Sequence, residues 1–249
     1  MEYNKDFEFY GKSVYFLKEK ILAIADLHLG YEEMLEKKGI HFPRRQFEDI
    51  IGDLNLIFEK LKDKKRVIEK IIIVGDLKHE FGTVLKQEWK EVLDLIDFLD
   101  TKAKKVILVK GNHDVMLPGV LKQRKLEVFD FYFEKGIFFM HGNKIYKEAF
   151  NKEVNLIVMG HKHPAITLRK DAKKETYKCF LVGNYNRKKQ IMVLPSFFPL
   201  TEGMDVGLEH PDIDIKLNLK NFDVYIPYEN KVLYFGIVKD LSKKGEFLI

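Results

Sequence analysis

The stretch KIIIVGDLKH (70–79) is a run of β-branched residues that stops at a glycine and turns polar at once. Consecutive apolar positions, without alternation, suit a strand buried on both faces. The pattern recurs along the chain. KILAIA (20–25) runs into DLH (26–28), KVILVK (105–110) into GNHD (111–114), GIFFM (136–140) into HG (141–142), and NLIVMG (155–160) into GHKH (160–163). Between the first three runs the spacing predicts helices. Residues 43–62 open with Pro43, which a first helical turn accepts, and carry Phe47, Ile50, Leu54, Ile57 and Leu61 at helical spacing. Residues 83–99 carry Trp89, Val92, Leu93, Ile96 and Leu99 on one face. Strand, helix, strand, helix, strand implies parallel strands joined by right-handed crossovers. Their carboxyl ends then share one edge, where open α/β sheets bind ligands.

The last third has a different texture. TYKCFLVG (176–183), QIMVL (190–194), DVYIPY (223–228) and KVLYFGIV (231–238) are strand-like, and ENK (229–231) reads as a hairpin turn. A second sheet packed on the first accommodates them, and with no linker, repeat or low-complexity tract residues 1–249 read as a single domain. Of the 249 residues 46% are hydrophobic and 33% charged, which provides for a sizeable core. No apolar run approaches the ~18 residues of a membrane span, and the charged N-terminus MEYNKDFEFYGKSVYF has no secretory h-region. The expectation is a soluble, cytoplasmic protein with no membrane partner. The single cysteine, Cys179, excludes an intramolecular disulfide and a thiolate-rich zinc site. A net charge of +5 permits a nucleic-acid partner without demanding one.

Of eight histidines, all but His41 and His210 fall in the turns that end the five apolar runs. Asp26 and His28 are two apart, as are His161 and His163, so in extended backbone each pair leaves on one face. Asp76 and Asn112 each follow a glycine, which lets the backbone turn sharply or approach a bound group. Carboxylate, amide and imidazole donors without sulfur suit Mn²⁺, Fe, Zn²⁺ or Co²⁺, with Ni²⁺ also admissible, better than Ca²⁺ or Mg²⁺. The cluster exceeds the four donors of one tetrahedral ion, which indicates two ions.

In this order the motifs resemble those of the calcineurin-like metallophosphoesterases: D-x-H, G-D-x-x-(D/H), G-N-H-(D/E), a histidine, and G-H-x-H, spanning residues 26 to 163. The resemblance implies an α/β fold in which two mixed β-sheets pack as a sandwich flanked by helices. It also implies that Asp26, His28 and His163 hold one divalent ion and Asn112, His141 and His161 the other, with Asp76 bridging. Two such ions lower the pKa of a shared water, so that hydroxide attacks phosphorus in line. His113, the histidine of GNHD outside the ligand set, would protonate the leaving oxygen, with Asp114 orienting its ring. His79 in G-D-L-x-H is similar to the substrate-side histidine of SbcD-type double-strand-break-repair nucleases. The length and LPSFFPLTEGMDVG (194–207) resemble small archaeal SbcD-related proteins and ligase-associated phosphoesterases.

The leading expectation is therefore a Mn²⁺-dependent phosphodiesterase or nuclease acting on nucleic acid or nucleotides. A phosphatase of small phosphate esters and a non-catalytic protein-binding scaffold are the alternatives. The repair nucleases continue into a DNA-capping domain and a segment for an ATPase partner, whereas the residues that follow GHKH here suffice only for the second sheet, which puts a DNA grip and an ATPase partner in doubt. For substrate contacts the candidates are His79, Arg187 in the basic stretch NRKK (186–189), and Phe197, which with Phe198 could stack on a base, though core packing is the stronger reading for both. The basic stretches KLKDKKRVIEK (60–70) and TKAKK (101–105) are interspersed with acidic or neutral residues and read as solvated surface. Tyr31, close behind DLHLG, could reach the rim of the site, but it is not counted among the site residues.

Overall fold

The computed structural model describes residues 6–83, 85–117, 121, 124, 126–170, 173–207, 218–229 and 231–241. The chain opens with an antiparallel hairpin that the apolar-run pattern does not reveal, β1 (Phe7–Tyr10) and β2 (Ser13–Phe16). β2 pairs with β3 (Ile21–Ile24), and β3, β4 (Lys70–Val74) and β5 (Lys105–Val109) run parallel, as expected. β6 (Glu127–Phe129) completes a six-stranded sheet in the order β1-β2-β3-β4-β5-β6.

The second sheet starts with β7 (Phe131–Glu134) and β8 (Ile137–Met140), followed by β9 (Leu156–Met159). β10 (Pro164–Lys170) and β11 (Lys173–Lys178) turn away as a separate hairpin, which splits TYKCFLVG at Cys179. β12 (Phe180–Asn186) and β13 (Lys189–Val193) return to the second sheet, β14 (Met204–Asp205) pairs with β10, and β15 (Asp223–Tyr228) and β16 (Lys231–Ile237) form the final hairpin. The second sheet is seven-stranded, β16-β15-β12-β13-β9-β8-β7, and β8, β9 and β13 are parallel within it.

Strand alternation divides the core into layers. Ile21, Ala23, Ile72, Val74, Ile107 and Val109 of the first sheet meet Phe139, Val158, Phe180 and Met192 of the second. Phe16 and Phe139 cross that interface edge to face with centroids 5.8 Å apart, and truncating such a ring to alanine costs about 3–5 kcal/mol. The opposite face of the first sheet, Leu22, Ile24, Ile71, Ile73 and Leu108, is covered by α2 (Gln46–Asp63) and α3 (Lys86–Asp100). The outer face of the second sheet carries the small sheet of β10, β11 and β14, together with Leu219, Phe222 and the one-turn helix Val238–Leu241. The result is a mixed α/β sandwich.

α2 buries Ile50, Leu54, Ile57 and Leu61, as its spacing predicts, but it begins at Gln46 rather than Pro43. The reason is a cap from elsewhere: the Glu32 carboxylate, in α1 (Tyr31–Lys37), accepts the N–H groups of Arg45 and Gln46 at 2.7 and 2.9 Å. A remote cap leaves no local mark in the sequence. On α3 the buried stripe is Val92, Leu95, Ile96 and Leu99, and Trp89 falls off it, 42% exposed. Among the described residues no helix is long and apolar enough to cross a membrane.

Candidate metal centre

All five polar turns leave the carboxyl ends of parallel strands, three from the first sheet and two from the second. Backbone pairing carries the order beyond the strands. Asp26 N–H donates to Gly75 O, His28 N–H to Asp76 O and Leu29 N–H to Leu77 O, at 3.0–3.1 Å, so the DLH and GDLKH turns lie side by side. The segment 194–198 closes the seam between the sheets: Leu194 N–H donates to Met159 O, and Ser196 Oγ and Phe198 N–H both donate to Asp26 O.

Asp26, His28, Asp76, His161 and His163 all adopt positive φ, between 42° and 70°. Non-glycine residues resist this region, and such backbone collects where surrounding structure fixes a functional geometry. The glycines of the motifs make room as well. A Cβ on Gly75 would lie 2.0 Å from His141 Nδ1, one on Gly111 2.0 Å from Asp76 Oδ1, and one on Gly160 2.7 Å from Asp26 Oδ2. Each glycine is vacant where the neighbouring turn inserts its own donor.

Two groups of donors result. One oxygen or nitrogen from each of Asp26, His28 and His163 lies within 4.8 Å of the others, and the same holds for Asp76, His141 and His161. His28 Nε2 faces His163 Nε2 at 3.2 Å, and His161 Nδ1 faces His141 Nε2 at 3.1 Å. Asn112 Oδ1 joins the second group, 3.1 Å from His141 Nε2. Asp76 stands between them, its Oδ2 3.1 Å from His141 Nε2 and 3.8 Å from His28 Nε2. A third group, His28, His79 and His113, is equally compact but holds no carboxylate to offset a cation's charge. The donor chemistry of the first two groups fits divalent ions: carboxylates with imidazoles, and no thiolate.

Electrostatics separate the histidines. Burial holds His28 down to about 3 and His161 to about 4, so both present neutral imidazoles. Burial and then the neighbouring His113 bring His79 to about 4. For His141 burial also disfavours charge, but the hydrogen-bonded Asp76 carboxylate and nearby Asp26 outweigh it and hold the pKa at about 9. Asp76 is depressed in turn: its burial opposes charge, and hydrogen bonding and charge from His141 prevail.

Several expectations need correcting. Asp114 does not orient the ring of His113. Its carboxylate is fully buried and accepts backbone N–H groups from Leu77, Lys78 and Gly111 at 3.0, 3.3 and 2.8 Å. His113 Nδ1 faces the backbone carbonyl of His79 instead. Phe197 cannot stack on a base, because it is 0% exposed and packs in the helix-side core under Lys12. The neighbouring Phe198 does reach the site, 5.3 Å from the His28 ring. Arg187 is exposed on the β12–β13 hairpin, at the amino end of β13, whereas the centre lies beyond the carboxyl end. Lys189 of the same stretch is buried and donates to Asn151 O and Val154 O. His41 is exposed, and His210 lies outside the described residues.

The sequence reading missed a set of supports. Gln46 Nε2 donates to the carbonyls of Leu27 and His28, and Glu88 accepts the N–H groups of His79, Glu80 and Leu85. Both carry a visible mark. Gln46 precedes Ile50 by four and Glu88 precedes Val92 by four, so each puts a polar group on an apolar stripe at the first turn of its helix. Phe81 carries no such mark, whereas Tyr31 does lie at the rim. Tyr31 packs 4.7 Å from the His79 ring and Phe81 3.6 Å from the His113 ring.

The chain belongs to the calcineurin-like phosphoesterase family, whose model matches residues 19–194. It is accordingly a metal-dependent phosphoesterase, a hydrolase of ester bonds. No curated protein matches it in sequence. Among solved structures it is similar to the nuclease MPE of Pseudomonas putida, with 20% identity over 90% of this chain and 92% of that one and a TM-score of 0.61. It is also similar to YfcE, a phosphoesterase from E. coli, with 15% identity, 89% and 94% coverage and a TM-score of 0.39. At 20% identity the likeness to the nuclease MPE speaks to the fold alone.

Proposed function

We propose that this chain hydrolyses phosphodiester bonds of nucleic acid at a centre of two divalent metal ions, Mn²⁺ being the first choice. The observation that carries the reading is the place of His79. Its Nδ1 is 3.4 Å from His28 Nδ1 and its ring 5.4 Å from that of His113. It therefore adds an imidazole on the side of the centre lined by Tyr31 and Phe198, apart from the two carboxylate-containing groups. The five turns contain no arginine, the fork that commonly grips a terminal phosphate dianion. Imidazoles donating single hydrogen bonds suit a diester, which carries one negative charge.

Asp26, His28 and His163 would hold one ion and Asn112, His141 and His161 the other, with Asp76 shared. When bound, such ions would make hydroxide available near neutral pH and offset the negative charge of phosphoryl oxygens. The protein groups do the rest. The carbonyl of His79 can only accept, so His113 carries a hydrogen on Nδ1, and the second proton of its imidazolium form, on Nε2, is the one the leaving oxygen would take. Nε2 lies 3.8 Å from Asp76 Oδ2, on the inner side of the centre. Asp114 acts through the backbone, fixing the turn on which His113 stands.

The test is hydrolysis by Mn²⁺-loaded protein of bis-p-nitrophenyl phosphate, p-nitrophenyl phosphate, and labelled single- and double-stranded DNA. The diester and at least one DNA should be cleaved. Turnover confined to the monoester would overturn the proposal.

A further inference from the structure

Phe81 is an aromatic side chain with one face occupied and the rest of it in solvent. Its ring lies 3.6 Å, centroid to centroid, from that of His113, tilted by 34°, while the residue as a whole is 53% exposed. It sits on the loop 80–83 immediately after His79, in a stretch of exposed residues, and belongs to none of the buried clusters. The loop is not held by Phe81. It is pinned from below, where Glu88 accepts the N–H groups of His79 and Glu80, and where the buried Lys78 ammonium donates to Thr83 O beside the Glu88 carboxylate. The anchoring places Phe81 over His113 and leaves its outward side free.

A single exposed apolar residue needs no explanation. Here there are three on the two loops that carry His79 and His113: Phe81, Val115 at 68% and Met116 at 51% exposure. Apolar groups bordering so polar a centre fit a substrate that joins a phosphate to a flat apolar group. A nucleobase has that shape, and stacking on an aromatic side chain is tolerant of sequence. Because Phe81 lies on the histidine assigned to the leaving oxygen, a base stacked there belongs to the nucleotide on the leaving side of the scissile phosphate.

We infer that Phe81 forms a base-stacking subsite for the leaving-side nucleotide, an inference that rests on the phosphodiesterase reading of the centre. The experiment compares kcat/KM on two single-stranded oligonucleotides with one preferred cleavage position. One is intact; the other carries an abasic tetrahydrofuran in place of the leaving-side nucleotide. Wild type should prefer the intact strand about 10-fold, through KM, as one stacked base predicts. Phe81→Ala should bring the ratio close to one, and Phe81→Trp should keep it. With 2-aminopurine at that position, wild type bound in Ca²⁺ should quench its fluorescence and Phe81→Ala should not. An unchanged ratio in Phe81→Ala, or equal loss on both strands through kcat, would overturn the subsite while leaving the phosphodiesterase reading in place. Absence of oligonucleotide cleavage by wild type would overturn both.

Discussion

Asp114 Oδ1 accepts the backbone N–H of Leu77 at 3.0 Å, which ties the turn bearing His113 to the turn bearing Asp76 and His79. The same carboxylate takes Lys78 N–H and Gly111 N–H, and burial pushes its pKa up to about 6, with the charge of Asp76 adding to the shift. Its role is to hold two loops at a fixed separation. Asp114→Ala would leave buried N–H groups without an acceptor, each worth about 1–3 kcal/mol. The expected result is a fall in Tm of roughly 5–10 °C and weaker Mn²⁺ binding, read by thermal melting and titration. An unaltered melting curve would remove Asp114 from this role.

His113→Ala should retain the metal content of wild type, measured by elemental analysis, while turnover of bis-p-nitrophenyl phosphate falls about 10²–10⁴-fold. Loss of both metals in that variant would instead mark His113 as a ligand.

Chelation should abolish hydrolysis and Mn²⁺ should restore it. Because ions bind only the folded centre, Mn²⁺ at about 100 times Kd should add ~2.7 kcal/mol to stability, visible as a rise in Tm. Asp76→Asn, which removes the carboxylate that stands between the two groups, should lose most of that rise. A full metal-dependent shift in Asp76→Asn would contradict the bridging assignment.

Gly111→Ala places a methyl group 2.0 Å from Asp76 Oδ1, and neither side can yield without moving a donor. Metal affinity should drop by more than tenfold while circular dichroism still reports a folded chain. Wild-type affinity would show that the clearance at Gly111 is dispensable.

Lys178 gives a pH dependence that can be followed in metal-free protein. Its ammonium donates to the carbonyls of Ser196 and Phe198, and burial, then repulsion from Lys12, pushes its pKa down to about 7. An unfolded lysine titrates at about 10.4. Between the two values the unfolded chain binds more protons, so this residue's contribution to stability rises with pH. Below pH 7 both states are protonated and the contribution stays at its minimum. The Tm of wild type minus that of Lys178→Met should increase from pH 7 to 9.5 in EDTA; a constant difference would refute the depressed pKa.

The strands that carry the polar turns, the parallel order of three of them in the first sheet, and the residues that gather at the sheet edge could be read from the sequence, whereas the β1–β2 and β10–β11 hairpins could not. Five apolar runs ending in Asp, Asn or His are local patterns, and strand periodicity together with the handedness of crossovers leaves little freedom in how they assemble. The candidate ligands Asp26, His28, Asp76, Asn112, His141, His161 and His163 could be picked out for the same reason: each follows an apolar run. Relations between turns lie outside any such local pattern. Asp114 bonding to Leu77 rather than His113, Glu32 starting α2 at Gln46, Phe197 turning inward while Phe198 faces His28, and Arg187 emerging at the far end of β13 each depend on contacts between distant segments. Side-chain direction at a sheet edge is set by what packs against it, and that is not encoded within any one run.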